Sequence, residues 1–264
     1  MKRAALVLLA VAALAPAADE TRQQRAKRVL DEAVAALGGD AFLHMTDRVE
    51  TGRAYSFYRQ QISGYSTATI YTRYLAPVPG KVAVRERELF GKKQDEGSLL
   101  FTETGAWDIS FHGARPFDDQ RWASYQDTTL RNIFYILRQR LNEPGLSLYS
   151  QGSDFYERAP VEIVDITDAG GVTVTVMFDR FSKLPVRQTY RRRNPQFKDF
   201  DTETTLFGKY RAVPGGVKWP YDVRRERNGD KIYEMYAESV EIDKDISDSI
   251  FTIPSNVKLL PKEK

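Results

Sequence analysis

The stretch VKWPYDVRRERNGDKIYEMYAESVEI, residues 217–242, decides the fold class. Asn228-Gly229 stands near its middle, and both residues tolerate the positive φ angles of a two-residue hairpin turn. The flanking segments, residues 217–226 and 231–242, are rich in Val, Ile, Tyr and Trp, a strand composition. An antiparallel pair is expected here, and the same rhythm extends outward. Residues 201–211, 184–191, 172–178, 161–166 and 146–149 read as strands, separated by Asn194-Pro195, Phe181-Ser182-Lys183 and Ala169-Gly170-Gly171. In the first half, residues 49–59, 62–75, 81–90, 98–102 and 106–111 read likewise, interrupted by Pro77-Val78-Pro79-Gly80 and Gly91-Lys92-Lys93. Along residues 81–90, Val82 and Val84 take the face opposite Arg85 and Arg87.

Two segments have helical period instead. After Arg22, the positions Ala26, Val29, Leu30, Ala33, Val34 and Leu37 form one apolar face, with Arg25, Arg28, Asp31 and Glu32 outside it. Gly38-Gly39 ends that helix. Residues 118–141 predict one long helix with a broad apolar face of Trp122, Tyr125, Leu130, Ile133, Phe134, Leu137 and Leu141. Asp118 or Asp119 is its N-cap, and Pro144-Gly145 closes it. The expected fold is mainly β: a single incomplete antiparallel β-barrel, or strongly curved sheet, of about ten strands, with an N-terminal helix and a long inserted helix covering the concave face.

The N-terminus carries an address. Lys2 and Arg3 precede an apolar run over residues 4–14, and Ala15-Pro16-Ala17 places small residues at the cleavage-determining positions. The run is shorter than the ~20 residues needed to span a bilayer. Residues 1–17 are therefore expected to be a cleavable signal peptide, with cleavage near Ala17 and residues 18–264 forming one domain in the periplasm or secreted beyond it. The chain has no Cys, which excludes disulfides, thiolate chemistry and lipid attachment to a lipobox cysteine. No later segment is apolar enough for an integral membrane span. Without the signal, 37 basic residues face 36 acidic ones. That balance argues against a nucleic-acid partner, which favours a concentrated basic footprint.

A catalytic centre is hard to place. His44 and His112 are the only histidines, with no nucleophile signature near any Ser. Without Cys or an H-x-x-x-H spacing, no metal site or cofactor is expected. Acidic groups occur at Glu86 and Glu88, at Asp118 and Asp119, and at Glu241, Asp243, Asp245 and Asp248. They are expected on solvated strand edges and caps. Arg191-Arg192-Arg193 reads as a solvated strand end, with an acidic partner or lipid headgroup as the alternative. Fourteen Tyr, fourteen Phe and three Trp either fill a β core or leave a groove for a hydrophobic ligand.

In order, the elements resemble the LolA/LolB-like outer-membrane lipoprotein-carrier superfamily, in particular its divergent lipoprotein-sorting-like exported members. The resemblance is carried by the helix ending in Gly38-Gly39, the helical insertion, and Tyr210-Arg211-Ala212-Val213-Pro214-Gly215-Gly216-Val217-Lys218-Trp219-Pro220. After these come Asn228-Gly229, Ser239-Val240-Glu241-Ile242 and Phe251-Thr252-Ile253-Pro254. It implies an incomplete barrel whose apolar concave face binds acyl chains, with Trp122, Phe134, Leu137 and Leu141 as lid residues. Trp107 and Tyr71 complete the expected hydrophobic cavity. The function expected is a non-catalytic periplasmic carrier for lipid-bearing or other hydrophobic ligands, with envelope proteins as partners. An envelope structural or interaction module, and an envelope hydrolase, are the alternatives. Burial of an acyl chain is worth about 0.8 kcal/mol per methylene, on the order of 10 kcal/mol for a long one, so a carrier needs shelter rather than chemistry.

Overall fold

A computed structural model describes residues 20–91, 97–194 and 196–262. The expected signal peptide, most of the Gly91-Lys92-Lys93 turn and Pro195 lie outside them. Among the described residues thirteen strands form one open antiparallel sheet. Six of them meander through the first half: β1 (Asp47–Tyr58), β2 (Gln61–Tyr74), β3 (Val84–Phe90), β4 (Ser98–Phe101), β5 (Ala106–Ser110) and β6 (Gly113–Pro116). Seven meander through the second: β7 (Ser147–Tyr156), β8 (Ala159–Thr167), β9 (Thr173–Asp179), β10 (Pro185–Arg193), β11 (Phe200–Ala212), β12 (Lys218–Arg227) and β13 (Asp230–Ile242). β1 pairs with β13 and joins the two halves, which leaves β6 and β7 as the two edges. The Asn228-Gly229 turn lies between β12 and β13, as its dipeptide predicts.

This topology dictates where the helical insertion runs. It links β6 to β7, one edge of the sheet to the other, across roughly 58 Å of arc at ~4.8 Å per strand. Such a link is short only if the sheet curls around it. α3 (Asp119–Leu130) shows that it does. On one side Tyr125 stacks on Phe101 of β4, with ring centroids 3.9 Å apart. On the other, Ser124 accepts a 2.5 Å hydrogen bond from Arg192 of β10. Strands seven places apart in the sheet thus meet one helix of about 10 Å diameter.

The insertion is not one helix. α3 ends at Arg131. Asn132 then caps a new start, its Oδ1 accepting from the amides of Phe134 and Tyr135. The short α4 (Ile133–Tyr135) passes into a π-helical turn, Ile136–Arg140. The apolar residues divide accordingly. Ile133, Phe134, Ile136 and Leu137 are fully inside, whereas α3 buries none of its residues completely. The periodicity of residues 118–141 is continuous, but Asn132 favours the extended conformation of a cap over a helix interior. Asp118 is the N-cap, accepting from the Arg121 amide at 2.7 Å.

α1 (Arg22–Leu37) begins with a Thr21–Gln24 capping box and lies on the concave face over β7, β8 and β12. Its Ala26, Val29, Leu30, Ala33 and Leu37 pack with α4 and the π-turn against Val164, Val176, Phe178, Phe207 and Trp219. Gly38 terminates it at φ 129°, and a Cβ there would meet the Gly216 carbonyl oxygen at 2.6 Å, so only glycine fits. α2 (Asp40–His44) follows and buries Phe42.

The convex face has a covering of its own. After β13 the chain turns back under Asp47, whose carboxylate accepts the amides of Lys244 (2.8 Å) and Ile246 (3.2 Å). Ile246, Ile250, Phe251, Ile253 and Val257 then pack against Val49, Tyr71, Leu100, Trp107 and Ile109. The tail finally pairs with the β6 edge through Ala114, whose amide donates to Lys258 and whose carbonyl accepts from Leu260. An otherwise free strand edge is thereby covered.

Candidate functional site

Two of the spaces beside the helices differ in chemistry. The larger is a groove of about 750 Å³ between α1, α2, the Pro77–Pro79 loop and the end of the π-turn. Leu30 and Leu137, both buried, lie at its base, and half-buried Val34, Leu43, Leu141 and Leu148 form the walls. Lys27, Asp31, Asp40, Arg138, Asn142 and Glu143 stand at the rim. Apolar walls with a polar rim suit a ligand that has a hydrocarbon part and a wet end. The π-turn fits the location, since such turns mark departures from regular helix at functional positions. Arg140 locks the end of that turn by pairing with Glu143 at 2.5 Å.

The second space is a chamber of about 220 Å³ beneath α3. Strand alternation builds its floor: Arg48 of β1, Thr72 and Tyr74 of β2, Glu86 and Glu88 of β3, and Trp219 and Arg225 of β12 share the concave face. Tyr125, Thr128, Thr129, Asn132 and Phe134 close it from above. Arg48 is its hub. Its guanidinium donates to Tyr74 Oη (2.6 Å) and Thr72 Oγ1 (3.1 Å), faces Glu50 at 3.4 Å, and lies 4.2 Å from the centre of the Trp219 ring.

Glu86 and Glu88 stand two residues apart on the same face of β3, and both line this chamber. Burial, and then the neighbouring Glu86 charge, push the Glu88 carboxyl up to about 8, so it keeps its proton at neutral pH. Burial also raises Glu86 and Glu50, opposed in both by Arg48. The expectation that Glu86 and Glu88 sit on a solvated edge is therefore overturned. They share strand parity with Val84 and Phe90, the inward face of β3, and that parity was present in the sequence.

His44 is exposed beside the Asp40 carbonyl, and His112 is exposed against the Phe111 ring. Among the described residues no group of three or more His, Cys, Asp or Glu could hold a metal ion, and no helix is long and apolar enough to cross a membrane.

No family model matches the chain, and no curated protein matches it in sequence. Solved structures do match in fold. A DUF1329 family protein from Desulfovibrio piger superposes with a TM-score of 0.60 at 13% identity, over 86% of this chain and 97% of its own. A protein described as an outer membrane lipoprotein-sorting protein domain, from Vibrio parahaemolyticus, gives 0.57 at 11% identity with the same coverage of both chains. A LolA superfamily protein from Nitrosomonas europaea gives 0.51 at 9% identity, again over 86% and 97%. The fold is LolA-like.

Within this LolA-like sheet the six residues expected around one cavity fall in four places. Leu137 and Leu141 border the large groove. Phe134 separates the polar chamber from the core, packing on Trp219 at 4.8 Å and edge-on to Phe207 at 5.0 Å. Trp122 stacks on Tyr125 at 5.6 Å and borders a third cleft of about 560 Å³ with Leu75, Val78 and Val82. Tyr71 and Trp107 lie on the opposite, convex face, covered by the C-terminal segment. Parity explains this. Tyr71 is one residue from inward Ile70 and Thr72, and Trp107 one residue from inward Ala106, so a period of two turns both outward.

Proposed function

We propose that this protein is a non-catalytic periplasmic carrier for lipid-bearing or other hydrophobic ligands. The observation that carries the reading is the groove of about 750 Å³, walled by half-buried leucines and valine between α1 and the π-turn. Surface of this kind is costly to leave in water, at ~25 cal/mol per Å², and an acyl chain covers it at no cost in directional bonds. The sheet's remaining apolar concave area is already filled by α1 and α4, so the cargo's place is at the edge of the helical layer. One fold neighbour is described as a lipoprotein-sorting domain, which agrees with such cargo. The signal-like N-terminus supports export, and residues 18–264 act as one carrier domain.

Native mass spectrometry of protein purified without detergent, followed by titration with a fluorescent fatty acid, tests this reading. Co-purifying lipid and saturable binding are the expected results. A ligand-free protein with no saturable binding would favour the structural-module alternative.

A further inference from the structure

We infer that one end of the sheet is a docking surface for an anionic phospholipid membrane. Three hairpin tips meet there: Arg59-Gln60 between β1 and β2, Asn228-Gly229 between β12 and β13, and the turn between β10 and β11. Hydrogen bonds tie them into one rim. Gln60 donates to Asp230 at 2.6 Å, the Asn228 amide donates to the Thr202 carbonyl at 2.8 Å, and the Asn228 side chain donates to Asp201 at 2.9 Å.

The rim exposes large apolar side chains that the fold does not need. Tyr58 is 65% exposed, Ile62 62%, Phe197 67% and Phe200 50%. Cations stand on the rings: Arg59 lies 5.2 Å from the Tyr58 centroid, Arg191 4.8 Å from Phe200, and Lys231 4.6 Å from Phe57. Residues 57–62, 191–201 and 226–233 carry seven basic and four acidic side chains. Arg192, Arg227 and Lys231 are held by Glu203 and Glu234, whereas Arg59, Arg191, Arg193 and Lys198 are exposed to solvent. Aromatic rings beside cations fit the bilayer interface, where the ring enters the headgroup zone and the cation meets lipid phosphate.

Exposed aromatics alone do not define this end. Phe155 and Phe181 are exposed at the tips between β7 and β8 and between β9 and β10. Residues 155–160 and 179–184 carry three basic against two acidic side chains, so those tips lack the charge surplus. The combination selects the first rim and commits it to an anionic surface. The Arg191-Arg192-Arg193 run is split by the strand, with Arg192 turned inward to Glu203 and Ser124 and Arg191 turned outward.

Co-sedimentation with vesicles of phosphatidylglycerol and phosphatidylethanolamine, against vesicles of phosphatidylcholine alone, is the test. The mature protein is expected to bind the anionic vesicles, to release with added salt, and to bind neutral vesicles weakly. Lys198→Ser is expected to weaken binding about fivefold, and the double variant Tyr58→Ser/Phe197→Ser to abolish it, with circular dichroism unchanged. Phe155→Ser/Phe181→Ser should bind as the parent does. Absence of binding to anionic vesicles, unchanged binding of the rim double variant, or an equal loss in the Phe155/Phe181 variant would overturn the inference. Fatty-acid binding in the groove is a separate readout, so either reading can fail alone.

Discussion

The Tyr125 ring lies parallel to the Phe101 ring, 3.9 Å between centroids and 11° between planes. This stack fixes α3 over the polar chamber from the β4 side, while Arg192 and Tyr190 reach it from β10 through Ser124 and Thr128. Phe101→Ala should therefore loosen α3 without unfolding the sheet. Hydrogen exchange in residues 119–130 is expected to accelerate while exchange in α1 stays unchanged, at a cost to global stability of about 3–5 kcal/mol.

Leu137 and Trp122, both expected as lid residues, should respond differently to truncation. Leu137 is 1% exposed in the main core, so Leu137→Ala is expected to cost about 2–5 kcal/mol in urea unfolding. Trp122 is half-buried on α3 beside a cleft, and Trp122→Ala is expected to cost clearly less than Leu137→Ala.

Glu88 makes stability depend on pH. Its carboxyl is raised from 4.5 to about 8 in the folded state, so the folded protein holds a proton that the unfolded chain releases across that window. Stability from this group is complete below about pH 4.5 and is lost as pH rises towards about 8, with a slope of at most roughly 1.4 kcal/mol per pH unit. Glu88→Gln keeps the hydrogen-bond donor and has nothing to titrate. Thermal melts across this window should show a decline in the parent that is flattened in the variant.

Asp47 holds the C-terminal segment on the convex face through two amide hydrogen bonds, and it is 1% exposed. Asp47→Ala leaves both amides without their acceptor. A loss of about 2–3 kcal/mol is expected, with limited proteolysis beginning after residue 243.

The strands were legible because composition and period agree. Residues 49–59 and 231–242 fall within a residue or two of β1 and β13. Residues 146–149 stop short of β7, which runs on to Tyr156 through the Gly152 irregularity. Gly113–Pro116 was missed, as a four-residue edge strand made regular by pairing with β5 and the C-terminal tail. The helix break at Asn132 depends on a capping bond and on the buried amide of Ile133, which donates to Gln188 at 2.8 Å. Neither contact changes the periodicity. Helical spacing puts Leu137 and Leu141 on one apolar face, and both border the groove. The chamber does not show in the charges, because strand parity is what carries Glu86 and Glu88 inward with Val84.

The groove beside α1 is the proposed place of the hydrophobic cargo. Its most direct test is a fluorescent fatty-acid titration of Leu141→Asp beside the unsubstituted protein. Leu141 is half-buried in the groove wall, so the fold is expected to survive with an unchanged circular dichroism spectrum. Saturable binding by the unsubstituted protein is expected, weakened at least about tenfold by the charge, equivalent to about 1.4 kcal/mol. Equal binding by both proteins would contradict it.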